Sequence, residues 1–120
     1  MNHVSLKKIF ILSLSLQSFS IYATSFATNE ALAKQCQDLS ETVASLVSSQ
    51  AKTTCAEKLG LASSGIEKAG YLILDYANST ARHELDTAVY SLKYAELNSC
   101  NRYIEISHSK FEAQRIKNSL

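Results

Sequence analysis

Three cysteines (Cys36, Cys55, Cys100) and three histidines (His3, His83, His108) are the residues of this 120-residue chain with chemistry beyond packing. Covalent haem attachment needs a Cys-x-x-Cys-His run, and there is none. The one Met is Met1, so Met/His haem ligation has no ligand in the body of the chain. His83 and His108 stand 25 residues apart, with no Cys or carboxylate at a zinc-site spacing. Cys36 with His83 or His108 is the nucleophile–base pairing on offer, and no third residue or oxyanion signal accompanies it. No Gly-rich phosphate loop occurs. These residues therefore predict no enzyme, no cofactor and no metal. His83 reads as a surface residue near a helix start, and His108 as partly packed or solvent-facing. What remains for the cysteines is disulfide formation.

A stable disulfide needs an oxidising compartment, and the N-terminus supplies the route. Residues 2–8 carry Lys7 and Lys8 and no acid, and an apolar stretch follows from Ile9 to Ala23. Ser25-Phe26-Ala27 then places small residues where a signal peptidase reads them. This is the three-part plan of a secretory leader, predicted here as residues 1–27, with cleavage after Ala23 the competing site. The apolar run is short of the roughly 20 residues a membrane span needs, and an uncleaved anchor is the alternative. The exported chain, 28–120, is then one domain in the periplasm or outside the cell. It holds ten basic and eleven acidic residues, a net charge of −1. That balance excludes the strong basic excess of a nucleic-acid binder.

The elements that must position the cysteines are helices. The sequence has no Pro and three Gly, too few for a turn every 8–12 residues. Leu32, Cys36, Leu39, Val43 and Leu46 recur at helical spacing, predicting a helix at about 29–50. Thr53 or Thr54 is the expected cap of a second helix, with Glu57 near its third position. Cys55, Leu59, Ala62, Ile66, Ala69, Ile73 and Ala77 carry that helix over 55–77. Gly60, Gly65 and Gly70 lie inside it, predicting either close approach of a neighbouring helix or a break between Gly60 and Gly65. Asn78-Ser79-Thr80 is the clearest turn, with Ser79 or Thr80 the expected cap of the next helix. The triplet also matches a glycosylation sequon, read here as chance. The third helix runs from Ser79 to about Lys117, or breaks near Asn98–Asn101. The predicted fold is all-α: a small antiparallel bundle of three to four helices, stapled by a disulfide.

The hairpin of the second and third helices selects the pair. If it turns at 78–79, residues at equal height have numbers summing to about 156, and Cys55 and Cys100 sum to 155. Both then lie about 30–33 Å from the turn, at the open end of the hairpin. Cys36 lies only about 9 Å up the first helix from the opposite end. The expectation is Cys55–Cys100, with Cys36 free and buried or pairing between chains. A redox-sensing role for Cys36 would need an exposed, low-pKa thiol.

The third helix shows two apolar stripes. One holds Leu85, Ala88 or Val89, Leu92, Ala95, Ser99, Tyr103 and Ile106. The other holds Tyr90, Tyr94, Leu97, Ile104, His108 and Phe111. Either the first helix covers the second stripe, or the stripe is a face for another protein or a second copy, since Tyr is enriched at interfaces.

From Gly60 onward the chain resembles the periplasmic immunity proteins of type VI secretion amidases, the Tai/Rap group. Gly60-Leu61-Ala62-Ser63 with Ile66 resembles a Gly–small–Ala–Ser segment opening a family helix. Asp75, Asn78, Leu85, Val89, Leu92 and Tyr94 resemble the helices that follow. Cys100 with His108-Ser109-Lys110, Gln114 and Lys117 resembles a Cys followed by a Tyr-His-Ser-Lys helix. The likeness covers about half the chain. Only five residues separate Tyr94 from Cys100, fewer than the family's connection. The resemblance implies a small, exported, helical, often dimeric protein that plugs the substrate groove of a peptidoglycan-cutting amidase. No family contact residue maps onto a matching motif, so the candidate contacts come from exposure and chemistry: Asn78, Arg82, His83 and Glu84 at the turn, with Tyr90 and Tyr94. The alternative function is a small periplasmic structural protein, chaperone or secretion accessory. A chaperone takes several unfolded clients, whereas an immunity protein takes one folded enzyme.

Overall fold

The computed structural model describes residues 27–120, so the expected leader, but for its last residue, lies outside them. Four helices follow one another: α1 (Asn29–Val47), α2 (Thr53–Leu74), α3 (Asn78–Leu97) and α4 (Tyr103–Asn118). Each packs on its chain neighbour, and α1 returns to touch α4, closing an antiparallel ring. Short loops between helices force this up-down-up-down order. No described helix is long and apolar enough to cross a membrane.

The helix starts differ from the expected caps. Only α1 has a side-chain N-cap, where Thr28 Oγ1 accepts the Ala31 amide at 3.1 Å. The α2 helix already includes Thr53, and its cap position is Lys52, which makes no capping bond. The α3 helix includes Ser79 and Thr80 and follows Ala77, also without a capping bond. Packing, not capping, therefore sets these two starts.

The helix ends explain the missing Gly and Pro. α2 stops at Leu74 because Tyr76 turns left-handed, at φ 59°. The Tyr76 amide then donates to the Ile73 carbonyl at 3.0 Å, and the Ala77 amide to the Leu72 carbonyl at 2.8 Å. This is a Schellman cap with Tyr where Gly is usual. The α3 end repeats it: Ser99 has φ 58°, and the Cys100 amide donates to Ala95 at 3.4 Å. The third apolar run is accordingly two helices, broken at 98–102. A helix continuous to Lys117 does not form. α1 likewise ends at Val47 rather than residue 50.

The core is aliphatic. Leu32, Leu39, Val43 and Leu46 of α1 meet Leu59, Ile66 and Ile73 of α2, Leu85 and Leu92 of α3, and Ile106 and Ile116 of α4. Alanines 62, 69, 81, 88, 95 and 113 fill the places where helices approach. Two glycines act in the same way. A Cβ on Gly70 would stand 3.2 Å from the Cys36 Cβ and 3.3 Å from the Ala33 carbonyl oxygen. Gly65 backs onto Glu84 and Ala88 of α3 at 3.5–3.7 Å. A Cβ on Gly60 would meet nothing within 4 Å, so no close approach requires glycine there, and α2 runs unbroken through all three.

One end of the bundle is stapled. Cys55 and Cys100 form the expected disulfide, with a Cα–Cα distance of 5.6 Å, although the hairpin turns at 75–77 rather than 78–79 and Cys100 lies in the loop beyond the end of α3. Around it, Gln50 and Asn101 exchange two hydrogen bonds: the Gln50 side-chain amide donates to the Asn101 carbonyl at 2.9 Å, and its oxygen accepts the Asn101 amide at 2.8 Å. Lys52 adds a bond to the Asn98 carbonyl at 3.2 Å. The α1–α2 and α3–α4 loops are thus tied together. At the opposite end, Asn29 donates to the Ile73 carbonyl and to Asn78. Such a disulfide fits an oxidising compartment outside the cytoplasm.

Candidate functional site

The groups with intrinsic reactivity are not assembled into a centre. Cys36 is free and buried, and burial pushes its thiol up to about 11. A thiol that stays protonated and enclosed has neither the nucleophilicity nor the access a redox sensor or inter-chain bridge needs. His83 and His108 are both exposed. Among the described residues, no three His, Cys, Asp or Glu side chains converge as a metal site would require.

On the surface the aromatic residues are the anomaly. Aromatic side chains usually carry much of a core's buried area. Here every aromatic of the described residues stays out of the core. Tyr71, Tyr76, Tyr90, Tyr103 and Phe111 are 56–80% exposed, and Tyr94 is half-buried. Leu97 and Ile104 join them, at 71% and 77% exposure.

Four of these residues form a pattern on α3 and α4. Leu97 and Tyr90 are seven residues apart on the outer side of α3, as Ile104 and Phe111 are on α4. The helices are antiparallel, so Leu97 lies level with Ile104, and Tyr90 with Phe111. The two rungs are about 10 Å apart. α1 packs on α2 and α4 and does not cover Tyr90 or Leu97, so the expectation that the first helix hides this stripe fails. Some of the charges beside the stripe are paired across the helices, while Lys93, between Tyr90 and Leu97 in sequence, is exposed and in none of the ion pairs of the described residues. Lys110 reaches Glu96 at 2.9 Å between the helices, both side chains 13% exposed, and the Lys110 ammonium lies 4.5 Å from the Phe111 ring centre. The lysine's hydrogen bond, with lesser help from Ser107 and Lys93, holds the Glu96 carboxyl below its ordinary range. Lys117 reaches Asp86 at 2.8 Å. Lys58 stands over the Tyr94 ring at 4.9 Å. The result is a set of exposed apolar side chains on a two-helix frame, with Lys93 and Lys58 at its border.

The six contact residues expected from the sequence divide. Asn78 is half-buried and accepts from Asn29 at 3.2 Å. Arg82 is exposed, and its guanidinium donates to the Leu120 carbonyl at 2.8 Å. Glu84 faces α2 and pairs with Lys68 at 3.1 Å. These three point toward different neighbours and hold the bundle's own elements. His83, Tyr90 and Tyr94 share the outward side of α3, where Leu97 continues their 7-4-3 spacing. The two rungs therefore add Leu97, Ile104 and Phe111 to the expected contacts. All three belonged to the second stripe, and only the break at 98–102 sets them on adjacent antiparallel helices.

A second feature had no signal in the sequence. α1 and α2 bound an open groove of about 370 Å³, walled by Tyr71 and Leu74 and floored by small residues. Comparison with protein families, curated proteins and solved structures gives no match for this chain.

Proposed function

We propose that this chain is an exported protein-binding bundle that acts by covering a partner, with the outer face of α3 and α4 as its contact surface. The observation that carries this reading is the inversion of its aromatics: an aliphatic core is complete without them, and they stand in water instead. Four large apolar side chains in two rungs expose several hundred Å², the scale of a functional patch on a small protein. The frame beneath them is pre-organised by the Cys55–Cys100 bridge and the Glu96–Lys110 pair, which lowers the ordering cost of binding. Nothing in such a mechanism requires a catalytic group, since steric occlusion is sufficient.

In its specific form, the partner is a peptidoglycan-cutting amidase in the periplasm, and the bundle is the immunity protein that plugs its substrate groove. The resemblance over about residues 60–117 supports this form. The adjacent gene should then encode an amidase. Its purified product, mixed with an equimolar amount of this protein, should co-elute as a complex on sizing and lose activity on peptidoglycan. Unaffected activity and separate elution would overturn the reading. The exposed Tyr71 and Leu74 on the far side of the bundle favour one other reading, a chaperone or secretion accessory holding extended clients on more than one surface. That reading predicts binding to several unfolded proteins and none to the folded enzyme.

A further inference from the structure

The α1/α2 groove lies on the opposite side of the bundle from the two apolar rungs and has its own chemistry. In the antiparallel register, Ala33 lies level with Gly70, Gln37 with Glu67, and Ser40 with Ser63. The Ser63 hydroxyl donates to the Ser40 carbonyl at 2.9 Å, which pins that register. Each helix thus presents its lining at four- and three-residue spacing, so the groove runs parallel to the helix axes for about 16 Å, or three turns. Two of the three rungs are small on both sides. Gly70 lets α1 approach until its missing Cβ would be 3.2 Å from Cys36, and this keeps the floor shallow and narrow. Tyr71 and Leu74, 63% and 51% exposed, form an apolar wall at one end. A furrow of this direction and spacing accepts the side chains of a third helix, as helix-in-groove recognition does.

The charges select that helix. Glu30, Glu41 and Glu67 stand on the groove, and none takes part in an ion pair among the described residues. The one lysine there, Lys34, is already paired with Asp38 at 3.2 Å. Two copies meeting through this face would bring six carboxylates with no ion-pair partner into one interface, a like-charge excess that disfavours self-association.

We propose that the α1/α2 groove docks a helix of a second protein, one presenting a narrow apolar stripe edged with Lys or Arg. This site is independent of the α3/α4 face and does not depend on its partner.

The probes are two stapled helical peptides of about four turns, identical in an Ala/Leu stripe and flanked by Lys in one and Glu in the other. They are titrated into the isotope-labelled, disulfide-intact protein and followed by amide chemical shifts. The Lys-flanked peptide should bind about tenfold more tightly, from three rim ion pairs of modest strength each. It should move the amides of Ala33, Ser40, Ser63 and Gly70 and spare those of Tyr90 and Phe111. The double variant Glu41→Lys/Glu67→Lys alters exposed positions only, so it should fold as before and reverse the preference. Equal binding of the two peptides, no binding at millimolar peptide, shifts centred on α3 and α4, or an unchanged preference in the double variant would each overturn the proposal.

Discussion

Gly60 and Gly70 lie in the same helix, and the same substitution at each should move stability in opposite directions. Both have negative φ, so Ala fits the backbone at either site. In a helix interior, replacing Gly by Ala stabilises by about 0.5–1 kcal/mol, through lost freedom of the unfolded chain. At Gly60 nothing lies within 4 Å of the new Cβ, so the gain is realised in full. At Gly70 the new Cβ meets the Cys36 Cβ at 3.2 Å and the Ala33 carbonyl at 3.3 Å. Neither atom is the end of a flexible side chain, so α1 must move away from α2 by a few tenths of an ångström. Overpacking of this kind costs about 1–3 kcal/mol, leaving Gly70→Ala a net loss of up to about 2.5 kcal/mol after the helix gain is subtracted. For a domain of this size 1 kcal/mol corresponds to about 4–8 °C in Tm. Gly60→Ala should melt several degrees above the parent and Gly70→Ala below it, by up to about 20 °C, with Gly65→Ala between them. The assay is thermal unfolding by far-UV circular dichroism with the disulfide intact, repeated in urea to compare m-values. A rise in Tm for Gly70→Ala equal to that for Gly60→Ala would refute the close crossing of α1 and α2, and with it the floor of the groove.

Three further outcomes follow from other parts of the molecule. Cys55→Ser/Cys100→Ser removes a bridge closing 45 residues, which should cost about 4 kcal/mol in the chain-entropy estimate and show as a large fall in the urea midpoint. Glu96 is held below the usual carboxylate range in the folded state, chiefly by its hydrogen bond from Lys110, so the native state binds fewer protons than the unfolded one. Its contribution is then complete above the ordinary glutamate range and is lost as pH falls through that range and below it. Glu96→Gln should be less stable than the parent at neutral pH, with the difference shrinking toward low pH in urea titrations across pH. Cys36, buried with its thiol at about 11, should stay unlabelled by a thiol reagent at pH 8 in the native protein and react fully in denaturant; rapid native labelling would contradict its place in the core.

What the sequence made legible was the part governed by spacing. The Cys55–Cys100 pair was legible because residues at equal height on antiparallel helices have a nearly constant sum, and the pairing holds although the turn falls at 75–77 rather than 78–79. The buried stripes of α1 and α2 followed from 3.6-residue periodicity. The helix ends were less legible, because their signals are atypical. Tyr76 and Ser99 occupy the left-handed positions where Gly would announce a stop, and Arg102, also left-handed at φ 67°, precedes α4. Lys52 and Ala77 precede helices without capping them, so Thr53, Ser79 and Thr80 looked like caps and are interior residues. The proposed contact surface was half legible. Tyr90 and Tyr94 were visible as a stripe, but whether α1 covers it depends on which neighbours α1 chooses, a tertiary choice that no local pattern contains. Asn78, Arg82 and Glu84 looked available as polar turn residues, and are engaged by Asn29, the Leu120 carbonyl and Lys68. The α1/α2 groove was invisible, because its small and acidic lining comes from two helices and neither stripe is unusual alone.

The measurement that tests the central claim most directly is inhibition of the proposed partner, the amidase that the proposal expects from the adjacent gene, by the parent protein and by Tyr90→Ser/Leu97→Ser/Phe111→Ser, with the variant's Tm recorded alongside. These side chains are more than half exposed, so the variant should melt close to the parent. Each interface aromatic typically contributes about 2 kcal/mol. The account therefore predicts full inhibition by the parent at equimolar protein and at least a hundredfold weaker inhibition by the folded variant. Undiminished inhibition by the variant would contradict the claim that the outer face of α3 and α4 is the binding surface.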